Sequence, residues 1–131
     1  MLNLVRSIED INNFLDKTNA LHDGYVVGVK YINSGISKTE RGHFFEPEKT
    51  KLVLQILLTS IWDAVVEIEF DSPIEWQIKD SQNKCGSIIN TSVFINSENL
   101  IVWIDDIYTG AQAMKKGSYV IARSMKWRII E

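Results

Sequence analysis

The sequence predicts a mainly β (α+β) fold: an antiparallel sheet, strongly curved or folded into a sandwich-like meander, with one N-terminal helix. Three observations support this prediction. In most segments apolar residues recur at every second position, which is the period of a strand with one buried face. Short polar turns join these segments, and such turns connect antiparallel neighbours, because parallel pairs need long crossovers. Residues 118–131 continue the alternation over one long strand, which we expect to complete the sheet.

The first element is predicted to be a helix. Ser7 is followed three residues later by Asp10, which resembles a capping box with Asp in place of Glu. The apolar stripe consists of Leu4, Ile8, Ile11 and Leu15, with Phe14 beside it. This spacing puts the stripe on one side of a helix, and Asn19 is a suitable end. We expect the helix to cover one face or one end of the sheet.

The rest of the chain is predicted to consist mainly of strands. The alternating segments are residues 24–32, 51–58, 65–70, 74–79, 86–95, 100–104 and 118–131. One face of the first segment is expected to carry Tyr25, Val27, Val29 and Tyr31. One face of the last segment is expected to carry Tyr119, Ile121, Arg123, Met125, Trp127 and Ile129, opposite Val120, Ala122, Ser124, Lys126 and Arg128. Such two-sided strands indicate a sheet with one buried and one solvated face.

Two connections are longer than a turn. Residues 105–117 can form a short helix before the last strand, with Asp105 and Asp106 at its positive end and Gly117 as a C-cap, although Gly110 disfavours a helix. Residues 33–50 are mostly polar and are predicted to form a long loop. Loops of this length in compact domains are usually functional or mobile.

Size and charge narrow the class of protein. At 131 residues the chain is predicted to be a single domain, residues 1–131. Its net charge of −3 lacks the basic excess of nucleic-acid-binding domains, so no nucleic-acid partner is expected. No apolar run reaches membrane-spanning length and no signal-peptide pattern is visible, so no membrane association is expected. A single cysteine, Cys85, fits a reducing cytoplasm better than secretion.

Catalytic and metal-binding patterns are weak in this sequence. His22 precedes Asp23 and Gly24, which offers an acid–base pair or a binding site in one interpretation and a plain turn in the other, which we favour. Glu67 and Glu69 share a strand face, but their position opposite apolar residues is typical of a solvated face. The sequence has no glycine-rich phosphate loop and no G-x-S-x-G, H-E-x-x-H or C-x-x-C motif. We therefore expect no enzyme, no metal and no cofactor.

Aromatic residues are the best candidates for a contact surface. Phe44 and Phe45 are adjacent in the polar loop, so one can fold over the sheet while the other faces solvent or a partner. Trp103 is one of four tryptophans and would be exposed if its strand face, opposite Val102 and Ile104, is not core. These residues predict a non-enzymatic module that binds a protein partner or associates with itself.

A small-ligand site is the alternative hypothesis. Arg123 shares a predicted strand face with apolar residues. Burial of an unpaired guanidinium is costly, so Arg123 is expected either at a rim or buried with a partner. At a rim it can act as the counter-ion of an apolar or acidic ligand held in the concavity of a curved sheet. A buried pair with a carboxylate is the purely structural interpretation.

Three short motifs also resemble known proteins. The order Leu21-His22-Asp23-Gly24 leads into an alternating strand, residues 65–70 form another short strand, and residues 122–130 close the pattern. Together they look like small uncharacterised bacterial proteins that begin with a His-Asp strand. Some similar families are described as immunity proteins paired with contact-dependent or polymorphic toxins. The resemblance implies a bacterial cytoplasmic binding protein, and it identifies no catalytic residue.

Overall fold

The computed structural model describes residues 2–33, 35–45, 49–58, 64–79, 88 and 90–130. In chain order, its elements are β1 (Asn3–Val5), α1 (Ile8–Lys17), β2 (Tyr25–Asn33), β3 (Ile36–Thr39), β4 (Gly42–Phe45), β5 (Thr50–Leu58), β6 (Ala64–Gln77), β7 (Ser92–Ile95), β8 (Ile101–Ile104), α2 (Ala111–Met114) and β9 (Tyr119–Ile130). Every pairing among the described strands is antiparallel. The mainly β antiparallel fold is confirmed, with the N-terminal helix and the short helix before the last strand.

One seven-stranded sheet organises the molecule, with the strand order β2-β5-β6-β9-β8-β7. β9 lies at its centre and pairs with β6 along most of one edge. Its other edge pairs with β8 at residues 119–122 and with β1 at residues 125–127. The sheet formed by the described strands is open, and β3 and β4 form a separate hairpin.

The inner face of the sheet, which is the face that α1 covers, carries the main core. Phe14 of α1 packs edge-on against Trp127 of β9, with ring centroids 5.4 Å apart. Residues from β5 and β6 that are fully buried in this core include Leu52, Leu54, Ile56, Val66, Ile68 and Phe70. The other face is the outer face of the sheet. A second, smaller cluster contains Val102 and Tyr119 and is closed by Met114 of α2.

α1 begins where the sequence predicts it. Ser7 Oγ accepts a hydrogen bond from the Asp10 N–H at 3.2 Å, and the Asp10 carboxylate accepts one from the Arg6 N–H at 2.9 Å. The first bond satisfies a donor that the start of a helix leaves without an intrahelical partner, and the second holds the residue before the N-cap against the first turn. The expected stripe is only partly right, because Ile11 is buried whereas Ile8 is 74% exposed.

A β-bulge changes the expected faces of β2. The register with β5 shifts between Val26 and Gly28, so β2 contains one extra residue. Tyr25, before the bulge, lies opposite an outer-face residue of β5. Val29 and Tyr31, after the bulge, lie opposite inner-face residues. The expectation of a single apolar face on this strand is therefore wrong, because one inserted residue exchanges the two faces.

The alternation of β9 also changes phase. Val120 and Ala122 belong to the main core together with Met125 and Trp127, whereas Tyr119 belongs to the second cluster. The expectation that Val120 and Ala122 lie opposite the apolar face is therefore wrong. The change of phase falls between Ala122 and Met125. Along the same edge of β9, the pairing with β8 ends at Ala122 and the pairing with β1 begins at Met125.

β6 is one strand where the sequence predicted two. The segments 65–70 and 74–79 were expected to be separated by a turn at Asp71, Ser72 and Pro73. Instead β6 continues through these residues with a register shift just after Pro73, and Ser72 adopts a φ of 50°. Bulges bend the strand that contains them, so the second half of β6 diverges from the direction of the first.

The predicted loop 33–50 contains a hairpin. β3 and β4 pair around a two-residue turn at Glu40 and Arg41, and Gly42 follows with a φ of 120°, a conformation that favours glycine. The loop prediction is wrong for these strands, because their alternation is short and mostly polar. Residues 46–48 lie outside the described residues, as do Cys85 and most of the segment preceding β7.

Candidate functional site

Tyr31 and Trp76 form an exposed aromatic pair at one side of the inner face. Their rings are nearly parallel, with centroids 6.1 Å apart and an interplanar angle of 23°. Tyr31 is 47% exposed and Trp76 is 39% exposed. Aromatic rings combine a large apolar surface with few rotatable bonds, and both types are enriched at protein interfaces. The pair is therefore the first candidate for a contact site.

Two bulges bring these rings together. The bulge in β2 places Tyr31 on the inner face, directly opposite Leu52 of β5. The bulge in β6 bends the second half of that strand, in which Trp76 lies opposite Val120 of β9. β5 lies between β2 and β6 in the sheet. The contact between the two rings therefore depends on the curvature of the sheet.

We define the Tyr31–Trp76 patch as Val29, Tyr31 and Trp76, which lie opposite core residues of the neighbouring strands. Val29 is 45% exposed, whereas Leu52, opposite Tyr31, is fully buried. The patch is therefore the uncovered rim of the main core. Its exposed side-chain surface is on the order of 300 Å², which is the size at which apolar patches on monomers often mark an interaction site.

The patch adjoins an open edge of the sheet. Among the described strands, β2 pairs only with β5. The approach to β2 is held by Ile88: the Asp23 N–H donates to Ile88 O at 2.8 Å, and the Ile88 N–H donates to Gly24 O at 2.7 Å. Residues 28–33 keep a regular register with β5 and contain one charge, Lys30. This stretch has the geometry to accept another strand.

The outer face of the sheet is charged and internally paired. Its ion pairs are Lys51 with Glu69 at 3.1 Å, Lys126 with Asp71 at 3.2 Å and Arg128 with Glu67 at 2.9 Å. The hydrogen bond from Lys51 to Glu69 raises the pKa of Lys51. Glu67 and Glu69 are therefore paired strand-face residues whose side chains are each 17% exposed, while their cationic partners are more exposed. Partly exposed pairs of this kind contribute on the order of 1 kcal/mol each.

A polar arrangement connects β6 to β9. The Tyr119 hydroxyl donates to Glu75 Oε2 at 2.6 Å, and Lys115 Nζ lies 3.6 Å from the same oxygen. The hydrogen bond lowers the pKa of Glu75 and raises the pKa of Tyr119. Both shifts favour the charge states that these groups have at neutral pH. The arrangement therefore joins two strands at neutral pH.

His22 lies in the turn before β2 and is about half exposed. Its Nε2 atom is 3.4 Å from Asp23 Oδ2, and Asp23 has a φ of 58°, a left-handed conformation that Asp adopts more readily than most residues. This geometry agrees with the turn interpretation. In the part of the chain that the structure describes, no three His, Cys, Asp or Glu side chains gather as a metal site requires.

Trp103 and Arg123 lie apart from the Tyr31–Trp76 patch. Trp103 is fully buried and packs against Phe70 with ring centroids 6.3 Å apart, so it does not form an exposed contact surface. The reason is that β8 has core on both sides, since Trp103 faces the main core and Val102 faces the second cluster. Arg123 is exposed in the gap between β8 and β1, and β5 and β6 separate its strand from β2.

Phe44 and Phe45 belong to β4, where their backbones lie opposite Ser37 and Ile36 of β3. The positions of the two phenyl rings are outside what the structure describes. The hypothesis that one ring covers the sheet while the other contacts a partner therefore stays a prediction.

Sequence reasoning missed Tyr31 and Trp76 as a pair. Strict alternation placed Tyr31 on a face shared with Tyr25 and assigned Trp76 to a short separate strand. A signal was present at Gly28, because a glycine inside a strand pattern often marks a bulge. Placing that bulge moves Tyr31 to the opposite face, although its contact with Trp76 still requires the bend in β6.

Comparisons with known proteins identify no relative: no family model, no curated protein and no solved structure matches this chain. The resemblance of its motifs to small bacterial proteins therefore stays a prediction. α1 has 10 residues, and none of the described helices is long and apolar enough to cross a membrane. The function must accordingly be argued from the surface of the molecule.

Proposed function

We propose that this protein is a non-catalytic binding module that recognises a protein partner by accepting an extended strand along β2. The observation that carries this proposal is the edge of β2 at residues 28–33, which no strand in the described part of the chain pairs on the side away from β5 and which lies directly beside the Tyr31–Trp76 patch. In strand addition, main-chain hydrogen bonds supply affinity, and surface pockets or rings select the side chains of the added strand. The regular stretch of β2 and the exposed rings beside it support this mode of binding.

The edge of β2 also has features that limit indiscriminate strand pairing, which favours a specific partner over aggregation. Proteins protect open edges with bulges and with lysine, and β2 has a bulge after Val26 and a lysine at position 30. The bulge limits regular pairing to residues 28–33. A short accessible edge supports a reversible complex, whereas a long flat one promotes unlimited stacking of chains.

The patch supplies part of the free energy for such a complex. Covering the exposed parts of Tyr31 and Trp76 removes roughly 100 Å² of mostly apolar surface at each ring, which contributes about 2 kcal/mol per ring. The entropy lost on association offsets much of this gain. Since about 4 kcal/mol by itself corresponds to a dissociation constant of about 1 mM, we expect a weak complex in which main-chain hydrogen bonds along β2 add to the contribution of the two rings.

The proposal is tested by selecting peptides that bind the protein. Random nine-residue peptides displayed on phage are panned against immobilised wild-type protein, Tyr31→Lys and the matched control Tyr108→Lys. Tyr108 is 44% exposed and also has one aromatic neighbour, Phe94, at 4.8 Å, so the two substitutions remove comparable surface. Circular dichroism establishes that all three proteins are folded.

We expect wild-type protein and Tyr108→Lys to enrich peptides that alternate aromatic or β-branched residues. Tyr31→Lys should retain at least tenfold less phage, because a charge then lies at the centre of the apolar surface. Equal retention by Tyr31→Lys and wild type would contradict the proposal, as would enrichment that is lost with Tyr108→Lys. The cellular setting that we propose, an immunity-like role in a bacterial cytoplasm, is supported by the motif resemblance and the single cysteine.

A further inference from the structure

We infer that one strand accepted by β2 is β2 of a second copy of this chain, paired antiparallel about a two-fold axis that passes through Tyr31. The inference rests on the proposed function, because it uses the same edge and the same patch. It goes further by naming the partner and the register. The bulge in β2, the single charge of its regular stretch and the exposed rings together select this register.

Symmetry limits the registers that two copies can adopt. A two-fold axis perpendicular to the sheet is the symmetry that pairs identical edges antiparallel, and it keeps both inner faces on the same side. The axis then passes through a residue, which lies opposite its own counterpart. The bulge confines regular pairing to residues 28–33, because residues before it have their side chains on exchanged faces.

The charge of Lys30 and the number of residues that can pair distinguish the remaining registers. An axis through Lys30 places two ammonium groups directly opposite each other, which destabilises a strand pair. An axis through Val29 gives regular pairing of residues 28–30 only. Beyond them, Tyr31 of one copy would lie opposite Val27 of the other, which is in the bulge. An axis through Tyr31 pairs all of residues 29–33, with Val29 opposite Asn33 and no like charges opposed.

This register also joins the two patches. Tyr31 lies opposite Tyr31 of the second copy on the inner face, and each tyrosine already stacks on its own Trp76. Four aromatic rings would then form one continuous row across the interface. Cross-strand aromatic pairs are among the favourable pairs of antiparallel sheets. Because the contact consists of one short strand pair and these rings, we expect a weak dimer that forms only at high protein concentration.

Disulfide trapping tests the register directly. Two variants are made in a Cys85→Ser background, Val29→Cys and Asn33→Cys, and Tyr31 is left intact in both. Opposed residues of an antiparallel pair have Cα atoms about 4.5–5.5 Å apart, within the range that a disulfide spans. In the inferred register, position 29 faces position 33 of the second copy, and neither position faces itself.

We expect an equal mixture of the two variants to give at least fivefold more covalent dimer under mild oxidation than either variant by itself. Crosslinking of Val29→Cys without the second variant would overturn the register in favour of an axis through Val29. Equal, low crosslinking in all three samples, with wild-type protein sedimenting as a monomer at about 0.5 mM, would overturn self-pairing altogether, since a dimer of this size should be populated there.

The two proposals can fail separately. If self-pairing fails but phage-displayed peptides still bind wild-type protein and not Tyr31→Lys, β2 accepts strands from other proteins and the self-pairing inference is overturned. If the mixture crosslinks but no peptide is enriched, the edge is specific for its own sequence. That outcome supports the inference and overturns recognition of a separate partner as the main role.

Discussion

Replacing Gly24 with alanine is expected to destabilise this protein strongly, whereas the same substitution at Gly28 is expected to be nearly neutral. A Cβ atom at position 24 would lie 2.8 Å from the Leu21 carbonyl oxygen and 2.9 Å from Ile56 Cγ2. A Cβ atom at position 28 would lie 2.8 Å from Gln55 Oε1, which is the end of a flexible side chain. The two glycines therefore form a matched pair.

The magnitude follows from how little the surroundings of Gly24 can move. Leu21 and Ile56 are fully buried. The Gly24 N–H donates to Leu21 O at 2.9 Å, and Gly24 O accepts from the Ile88 N–H at 2.7 Å, so the backbone is held on both sides. Overpacking a buried site costs about 1–3 kcal/mol, and alanine returns at most about 1 kcal/mol by restricting the unfolded chain. We expect a net loss of about 2 kcal/mol.

At Gly28 the Gln55 side chain can rotate away, so we expect a change within about 0.5 kcal/mol in either direction. Urea unfolding followed by tryptophan fluorescence gives both free energies of unfolding, and a common m-value would show that the variants share one transition. A Gly24→Ala variant within about 0.5 kcal/mol of wild type would refute the packing argument. Equal losses in both variants would refute the distinction between rigid and flexible neighbours.

Two further outcomes follow from the core and from the Tyr119–Glu75 bond. Phe14→Ala should lower the free energy of unfolding by about 3–5 kcal/mol in urea titrations, because it removes a fully buried ring that packs on Trp127; a loss below about 1 kcal/mol would mean that α1 contributes little to the core. Tyr119→Phe should destabilise the protein at neutral pH. The pKa of Glu75 is lowered in the folded state, so the stabilisation from its bond to Tyr119 is present above the ordinary carboxyl pKa and is lost as the pH falls through the lowered value. The free energies of unfolding of wild type and Tyr119→Phe should therefore converge in acid. A constant difference between them from pH 7 to pH 3 would contradict this role of the bond.

Local patterns were sufficient to predict the fold class. Ser7 and Asp10 marked the start of α1, and the alternation of residues 51–58 marked β5 as a strand with one buried face. These signals depend on neighbouring residues, so they are readable from a single sequence. The hairpin β3–β4 was missed because its residues are mostly polar and its turn contains neither Asn-Gly nor Asp-Gly.

The candidate site was less predictable, because it depends on where strands depart from regularity. Alternation placed Tyr31 on the wrong face, since one extra residue near Gly28 reverses every later side chain. The contact of Tyr31 with Trp76 joins residues far apart in the chain and needs two bulges and an intervening strand. Trp103 was expected at a surface if one face of β8 was free, but both faces are covered, and that depends on the packing of a distant cluster.

The position of β9 in the sheet has a consequence for how the chain reaches its native state. β9 is the last described strand in sequence but the central one in space, and it joins β6, β8 and β1. During synthesis, β5 and β6 can pair early, yet the opposite edge of β6 has no partner until residues 119–130 have been made. The contacts of β9 with β1 span almost the whole chain, and such long-range contacts slow folding. Nascent chains should therefore expose this edge of β6 from the completion of Gln77 until β9 has been made, and chaperone dependence should end only when β9 is released.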